Sequence, residues 1–177
     1  FEPVLSSELL LPLMIDDTPE NQSIIAGYIP VAREWIEHEV SSSIVQRTTT
    51  VYLDDFPCGD IEIRLPPVQS ITSITYLDSS GVSQTLSTSL YRVDLTSKPG
   101  RISPEYGQVW PVTYCVNKAV TVTAVTGPTT ANGVLHVARQ ALMVLVKSMF
   151  NNGGAICDDV RNSVRMMLDS IRWEGSF

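Results

Sequence analysis

The spacing of the hydrophobic residues changes period twice along this chain, and nothing else in the sequence restricts the fold as tightly. Over residues 20–40, Ile24, Ile25, Tyr28, Ile29, Ala32, Trp35 and Ile36 recur every three or four positions, which builds one apolar stripe on an α-helix. From residue 48 to about residue 124 the period is two, as a strand requires. Beyond Gly127-Pro128-Thr129-Thr130-Ala131-Asn132-Gly133 the helical period returns and persists to the end. A helix-period pattern does not settle as a strand, nor the reverse. The expected class is therefore α+β: a small helical bundle of N-terminal and C-terminal helices with an inserted antiparallel β module. The divisions fall at 1–45 for the N-terminal helices, 46–126 for the β module and 127–177 for the C-terminal helices and tail.

Local signals refine this outline. Ser6 and Ser7 are cap candidates for a short helix through Glu8-Leu9-Leu10-Leu11, with Pro12 either tolerated or breaking it. Asp17 or Thr18 caps the helix over 20–40, Pro19 suits its first turn, and Pro30 should kink it. The strands expected are 48–53, 61–65, 70–77, 82–86, 91–94, 100–102 and 120–124. Tight turns sit at Asp78-Ser79-Ser80-Gly81 and Lys98-Pro99-Gly100. The helix over 134–150 is apolar on most of its circumference, leaving a polar strip at His136, Arg139, Gln140 and Lys147. Such a helix needs cover on more than one side: the β module, the other helices or a neighbouring subunit. A last helix opens at Asp158 and Asp159, its inward stripe being Val160, Val164, Met167, Leu168 and Ile171.

With 177 residues the chain is long enough for one domain, or one carrying an inserted module. Its 44% hydrophobic and 18% charged residues exclude a disordered chain or a coiled coil. Twelve Lys and Arg against 19 Asp and Glu give a net charge of -7, which disfavours a general binder of nucleic acid or anionic membrane. No apolar run approaches the ~20 residues of a membrane span. The Leu9-Leu10-Leu11 cluster, broken by Pro12 and without a basic leader, does not read as a signal peptide. Cys58, Cys115 and Cys157 are sparse and odd in number, the pattern of reduced, mostly buried thiols in a cytoplasmic product rather than a disulfide framework or zinc site.

The chemical motifs expected of common enzymes are missing: no phosphate-binding loop, no dinucleotide fingerprint, no nucleophile elbow and no HExxH. His38 and His136 fall on a helix end and a polar helix strip, which are ordinary structural positions. Asp16-Asp17 and Asp158-Asp159 lie where helix caps belong. Asp54, Asp55 and Asp60 fall in a turn that lacks the ordered ligand spacing of a calcium loop. Asn21-Gln22-Ser23 is a sequon by chance in a chain without a secretory signal. No catalytic residue, cofactor or metal ligand is assigned, and the chain is not expected to be an enzyme. Arg161, Arg165 and Arg172 suit a solvated face or subunit salt bridges. Trp110 suits core packing under its loop or an anchor at an interface.

Several segments, in their order and spacing, resemble one family. Ile29-Pro30-Val31-Ala32-Arg33-Glu34-Trp35-Ile36-Glu37 is similar to its second helix. Ile71-Thr72-Ser73-Ile74-Thr75-Tyr76-Leu77-Asp78, Gly81 and Tyr91-Arg92-Val93-Asp94 resemble its β insertion. Pro99-Gly100-Arg101-Ile102 and Tyr106-Gly107-Gln108-Val109-Trp110-Pro111 carry most weight. The family is that of the head–tail connector (adaptor, or head-completion) proteins of long-tailed double-stranded DNA phages. The likeness runs from about Ser6 to Trp173. It departs at Pro30, where the family has a helix former, and over 113–118 and 129–132.

The resemblance implies a structural protein of the virion neck, made in the host cytoplasm. It implies a homo-oligomeric ring, typically a dodecamer, below the portal protein. The ring extends the DNA channel and offers a platform to the next neck or tail connector protein. Double-stranded DNA would pass through without sequence-specific binding, and no membrane or cofactor is involved. A net negative chain suits such a conduit, with some Asp and Glu side chains lining the lumen. The resemblance also implies portal docking by the C-terminal tail, at Arg172, Trp173 and Phe177. The subunit interface is expected at Leu135, Leu142, Val146, Met149 and Trp110. The alternative is another tail or neck module, such as a tail terminator or baseplate component.

Overall fold

The computed structural model describes residues 4–129 and 136–172, the side chain of Leu11 excepted. The chain divides into two compact units, one built from residues up to Val45 together with those from Pro128, the other from Gln46–Gly127. The first is helical and the second is β, so the class is α+β with helices from both ends of the sequence.

In the helical unit, α1 (Ser6–Leu13) and α2 (Pro19–Val40) precede the β segment, and α3 (His136–Asn151) and α4 (Asp158–Leu168) follow it. Helix α1 accommodates Pro12 in its last turn. Its first turn is closed by Glu8, whose carboxylate accepts the Leu5 N–H at 3.1 Å, rather than by Ser6 or Ser7. Thr18 caps α2, its hydroxyl accepting the Asn21 N–H at 3.2 Å, and Pro19 occupies the first turn, where no donor is wasted. Helix α2 runs on through Pro30 and ends on Ser41, which adopts a left-handed conformation with φ 50.

That end is stabilised by an acid buried in the unit. Glu37 accepts the Ile44 N–H on Oε1 at 2.9 Å and pairs through Oε2 with Arg33 at 3.3 Å. Its backbone carbonyl receives the N–H groups of Ser41 and Ser42. Donors and acceptors that would otherwise be orphaned at the helix end are satisfied together.

Helix α3 packs against α1, α2 and α4. Ala138, Ala141, Leu142, Leu145, Val146 and Met149 are buried among Ile25, Ile29, Ala32 and Ile36 of α2, Leu9 and Leu13 of α1, and Val164 and Leu168 of α4. The polar strip faces solvent at His136, Gln140 and Lys147, while Arg139 is half-buried and pairs with Glu8 at 3.6 Å.

The β unit holds seven antiparallel strands in two sheets. Strands β1 (Arg47–Leu53), β7 (Val120–Thr126), β3 (Val68–Leu77) and β4 (Ser83–Thr85) form the larger sheet in that order. Strands β2 (Ile61–Ile63), β6 (Gly100–Pro104) and β5 (Tyr91–Asp94) form the smaller. The inner side chains of both sheets share one core, with Ile61 and Ile63 of β2, Ile102 of β6, Ile74 of β3 and Val120, Val122 and Ala124 of β7. Gly100 pairs with Ile63, and a methyl in place of its hydrogen would stand 2.8 Å from the Val68 side chain, so the approach requires glycine. Arg47 pairs with Thr126, so the first and last strands of the module lie side by side.

All three cysteines are exposed, not buried as expected, because each falls in a connection: Cys58 between β1 and β2, Cys115 between β6 and β7, and Cys157 at the start of α4. None of the described helices is long and apolar enough to cross a membrane.

Truncating Leu142, which is fully buried, leaves a cavity among three other helices. Leu142→Ala should cost about 2–5 kcal/mol of stability, read as a lowered midpoint in urea denaturation followed by circular dichroism.

Candidate interaction surfaces

The described residues hold no cluster of three or more His, Cys, Asp or Glu able to ligate a metal. The acids that looked most like a cation site serve the backbone. Asp54 accepts the Lys118 N–H at 2.8 Å, and Asp55 accepts the Thr113 hydroxyl at 2.6 Å and the Phe56 N–H at 2.7 Å. Both carboxylates fasten the β1–β2 turn to the β6–β7 connection.

Asp94 is the acid furthest from its ordinary behaviour. It is held well below the usual carboxylate range by hydrogen bonds from the Ser97 and Thr96 hydroxyls and backbone N–H groups. Those donors belong to one tight turn, so the perturbation is explained by local structure rather than by a reaction site.

The β6–β7 connection, residues 105–119, is the most distinctive surface of the β unit. Glu105 donates its N–H to Leu90 O and Gln108 donates to Glu105 O, closing a turn at Gly107, whose φ of 78 favours a residue without Cβ. Trp110 then folds back. Its ring stacks on Phe56 with centroids 5.0 Å apart and planes 6° from parallel, and its indole N–H donates to Gly59 O at 2.9 Å. Phe56 meets Tyr76 edge-on at 5.6 Å, which continues the contact into the core. Further on, Tyr114 donates its N–H to Leu77 O, and Lys118 lies 5.1 Å above the Tyr52 ring.

The segment is thus pinned along its length, yet its apolar side chains point away. Tyr106 is 94% exposed, Val109 87% and Val112 78%. Clustered exposure of this kind marks a contact surface, whereas isolated exposed apolar residues do not.

In the helical unit the three arginines expected on a solvated face or in subunit salt bridges pair with acids of the same chain. Arg165 of α4 donates twice to Glu39 Oε1, from Nε at 3.0 Å and Nη2 at 2.8 Å. Arg172 donates from Nη2 to Glu39 Oε2 at 3.0 Å and from Nε to the Glu39 backbone carbonyl at 2.9 Å. The Arg165 guanidinium also lies 5.8 Å from the centroid of the Trp35 ring. Glu39 is held below its ordinary value by the Arg165 hydrogen bonds first, then by the charges of Arg165, Arg172 and His38, against an opposing effect of burial. Arg161 pairs within its own helix, with Asp158 at 3.3 Å.

The residues expected to contact partners therefore fall into four groups. Leu142, Val146 and Met149 are buried by the chain's own helices, which differs from the expected subunit face. Three other helices suffice to cover α3, and the sequence pattern cannot distinguish their cover from a neighbour's. Arg172, expected in the portal-docking tail, fastens the end of α4 to α2. Trp110 is half-buried and anchors a surface instead of forming its exposed part. Leu135, Trp173 and Phe177 lie outside the described residues. Sequence reasoning missed Tyr106, Val109 and Val112 as surface, although one signal was present: residues 106–117 contain no Asp, Glu, Lys or Arg.

Two outcomes check these assignments. Trp110→Ala should cost about 2 kcal/mol or more and speed chymotryptic cleavage within 105–118, measured by urea denaturation and limited proteolysis. Glu39 has a lowered folded-state value, so its stabilisation is complete above 4.5 and disappears as the pH falls through that lowered value. Glu39→Gln should therefore lower the denaturation midpoint at pH 7, and its difference from wild type should shrink towards zero in acid.

No protein-family model matches the chain, and no curated protein matches it. Solved structures do. The chain is similar to one in the virion of a native gene transfer agent (GTA) particle, with 15% identity, a TM-score of 0.78, and 99% of this chain and 92% of that one covered. It is similar to a chain in the neck of an empty GTA particle computed with C6 symmetry, with 16% identity, a TM-score of 0.78 and the same coverage. A third likeness is to the neck of a native GTA particle computed with C12 symmetry, with 16% identity, a TM-score of 0.67, and 97% and 93% covered. At this identity the comparison establishes a shared fold across nearly the whole length of both chains.

Proposed function

We propose that the chain is a structural subunit of a virion neck: a head–tail connector that forms a ring below the portal. The ring extends the DNA channel and presents a platform to the next neck or tail protein. The observation that carries this reading is the fold shared over 99% of the chain with a neck chain of a phage-like particle. A binding or catalytic domain that merely reused one of the two units would match over half that length.

Three properties support it. The titratable groups whose behaviour departs from the ordinary are explained by turns, burial or the Glu39 ion pairs, which leaves no acid–base or nucleophile constellation among the described residues. The net charge of -7 suits a conduit through which DNA slides, because an acidic surface gains no counterion release from the duplex. The neck structures of similar fold were computed with six-fold and twelve-fold symmetry, which favours a ring of copies for this chain too.

Co-expression with the cognate portal protein tests the reading. The two proteins should co-purify, and negative-stain images of the complex should show a ring added to one end of the portal. Retention on double-stranded DNA at physiological salt should be absent. Failure to co-purify with the portal would overturn the connector assignment.

A further inference from the structure

Helix α4 is held to the helical unit by little apolar surface and by one carboxylate. It buries Val164 and Leu168, with Val160 partly covered, whereas α3 buries six apolar side chains. Met166 of the same helix is 77% exposed. Arg161 Nε is buried and meets no acceptor among the described residues, so seating the helix carries a desolvation penalty that no bond offsets.

The two ends of α4 are attached differently. The residues just before it belong to the end of α3. Gly154 donates its N–H to Met149 O at 2.7 Å and Ala155 to Asn152 O at 3.2 Å, with Gly153 and Gly154 at φ 60 and 95, where a Cβ would be strained. Cys157 then enters α4 without a side-chain cap, and its N–H reaches Ser148 Oγ at 3.5 Å, a weak bond. Between Ala155 and Asp158 the chain rests on the half-buried Ile156.

At the far end Glu39 accepts three hydrogen bonds on its carboxylate and one on its backbone carbonyl, all from Arg165 and Arg172. The first arginine lies in the last turn of α4 and the second just beyond it, so one acid of α2 secures this end. An 11-residue helix holds its own hydrogen bonds poorly in water, so α4 freed from these contacts also loses its helix. Helices α1, α2 and α3 still pack on one another without it.

We propose that α4 is a strap, hinged at 155–157 and latched by Glu39, that opens while α1, α2 and α3 stay folded. Opening uncovers the surfaces of α2 and α3 beneath Val164 and Leu168, so the helical unit can present a further apolar face without unfolding. The strap works within a single copy, independently of any ring.

Hydrogen exchange of the free full-length chain, read by mass spectrometry of peptic fragments in urea below the unfolding midpoint, tests the strap. Amides of 158–168 should exchange about tenfold or more faster than those of 25–36 and 138–149. Their rates should also rise far less steeply with urea, because opening the strap exposes little surface. Without urea, Glu39→Gln should speed exchange over 158–168 about threefold, with circular dichroism checking that the variant is folded. Equal rates and equal urea dependence in α2, α3 and α4 would overturn the strap, since the helices would then open only together. Unchanged exchange over 158–168 in Glu39→Gln would overturn the latch.

Discussion

The pairing of β1 with β7 is the constraint on which the β unit depends. The two strands run antiparallel from Arg47 opposite Thr126 to Leu53 opposite Val120, and so bring the ends of an eighty-residue segment to one place. An insertion whose ends meet can interrupt a helical unit without forcing that unit's flanking segments apart. The same pairing makes β7 a central strand, with β1 on one side and β3 on the other. Its alternate residues Val120, Val122 and Ala124 then become the floor of the core. The loop from β6 into β7 inherits its footing from this arrangement, because Leu77 of β3 exchanges backbone hydrogen bonds with Tyr114 and Ala119.

In the helical unit the comparable constraint is the broad apolar surface of α3. Burying a Leu or Val side chain contributes roughly 1.5–3 kcal/mol, so covering α3 on three sides is the main reason for its neighbours to assemble. The polar contacts at the end of α2 act differently. Glu37 satisfies a helix end inside the unit, while Glu39 gathers two arginines of the α4 region at the surface. The first prevents orphaned backbone groups. The second ties Arg165 and Arg172 to the end of α2, and exposed arginine partners make its energetic contribution modest.

The two units treat their apolar residues unevenly. The helices bury most of their apolar residues in their own core, although Met14 and Met166 stay exposed. The β unit keeps part of its apolar surface outside, on a connection held by aromatic stacking, two aspartates and several backbone bonds.

Secondary structure and class were legible because they follow from period and punctuation. The alternation at Ile61, Ile63 and Leu65, the turn at Asp78 to Gly81 and the cap at Thr18 all act within a few residues of themselves. The closing of the first turn of α1 by Glu8 and the exposure of the three cysteines were not, since each depends on what surrounds the segment. Trp110 shows the divide most sharply. Its sequence context marks an aromatic in a loop, while its role depends on Phe56 and Gly59, more than fifty residues away. The sequence by itself determined the alternation of helical and strand segments, the acidic balance and the uncharged run at 106–117, because these are properties of the covalent chain. Only the tertiary structure decided that α3 is covered from within and that Val109 and Val112 are left outside. Burial belongs to the whole packed chain, and two identical apolar residues can meet opposite fates in it.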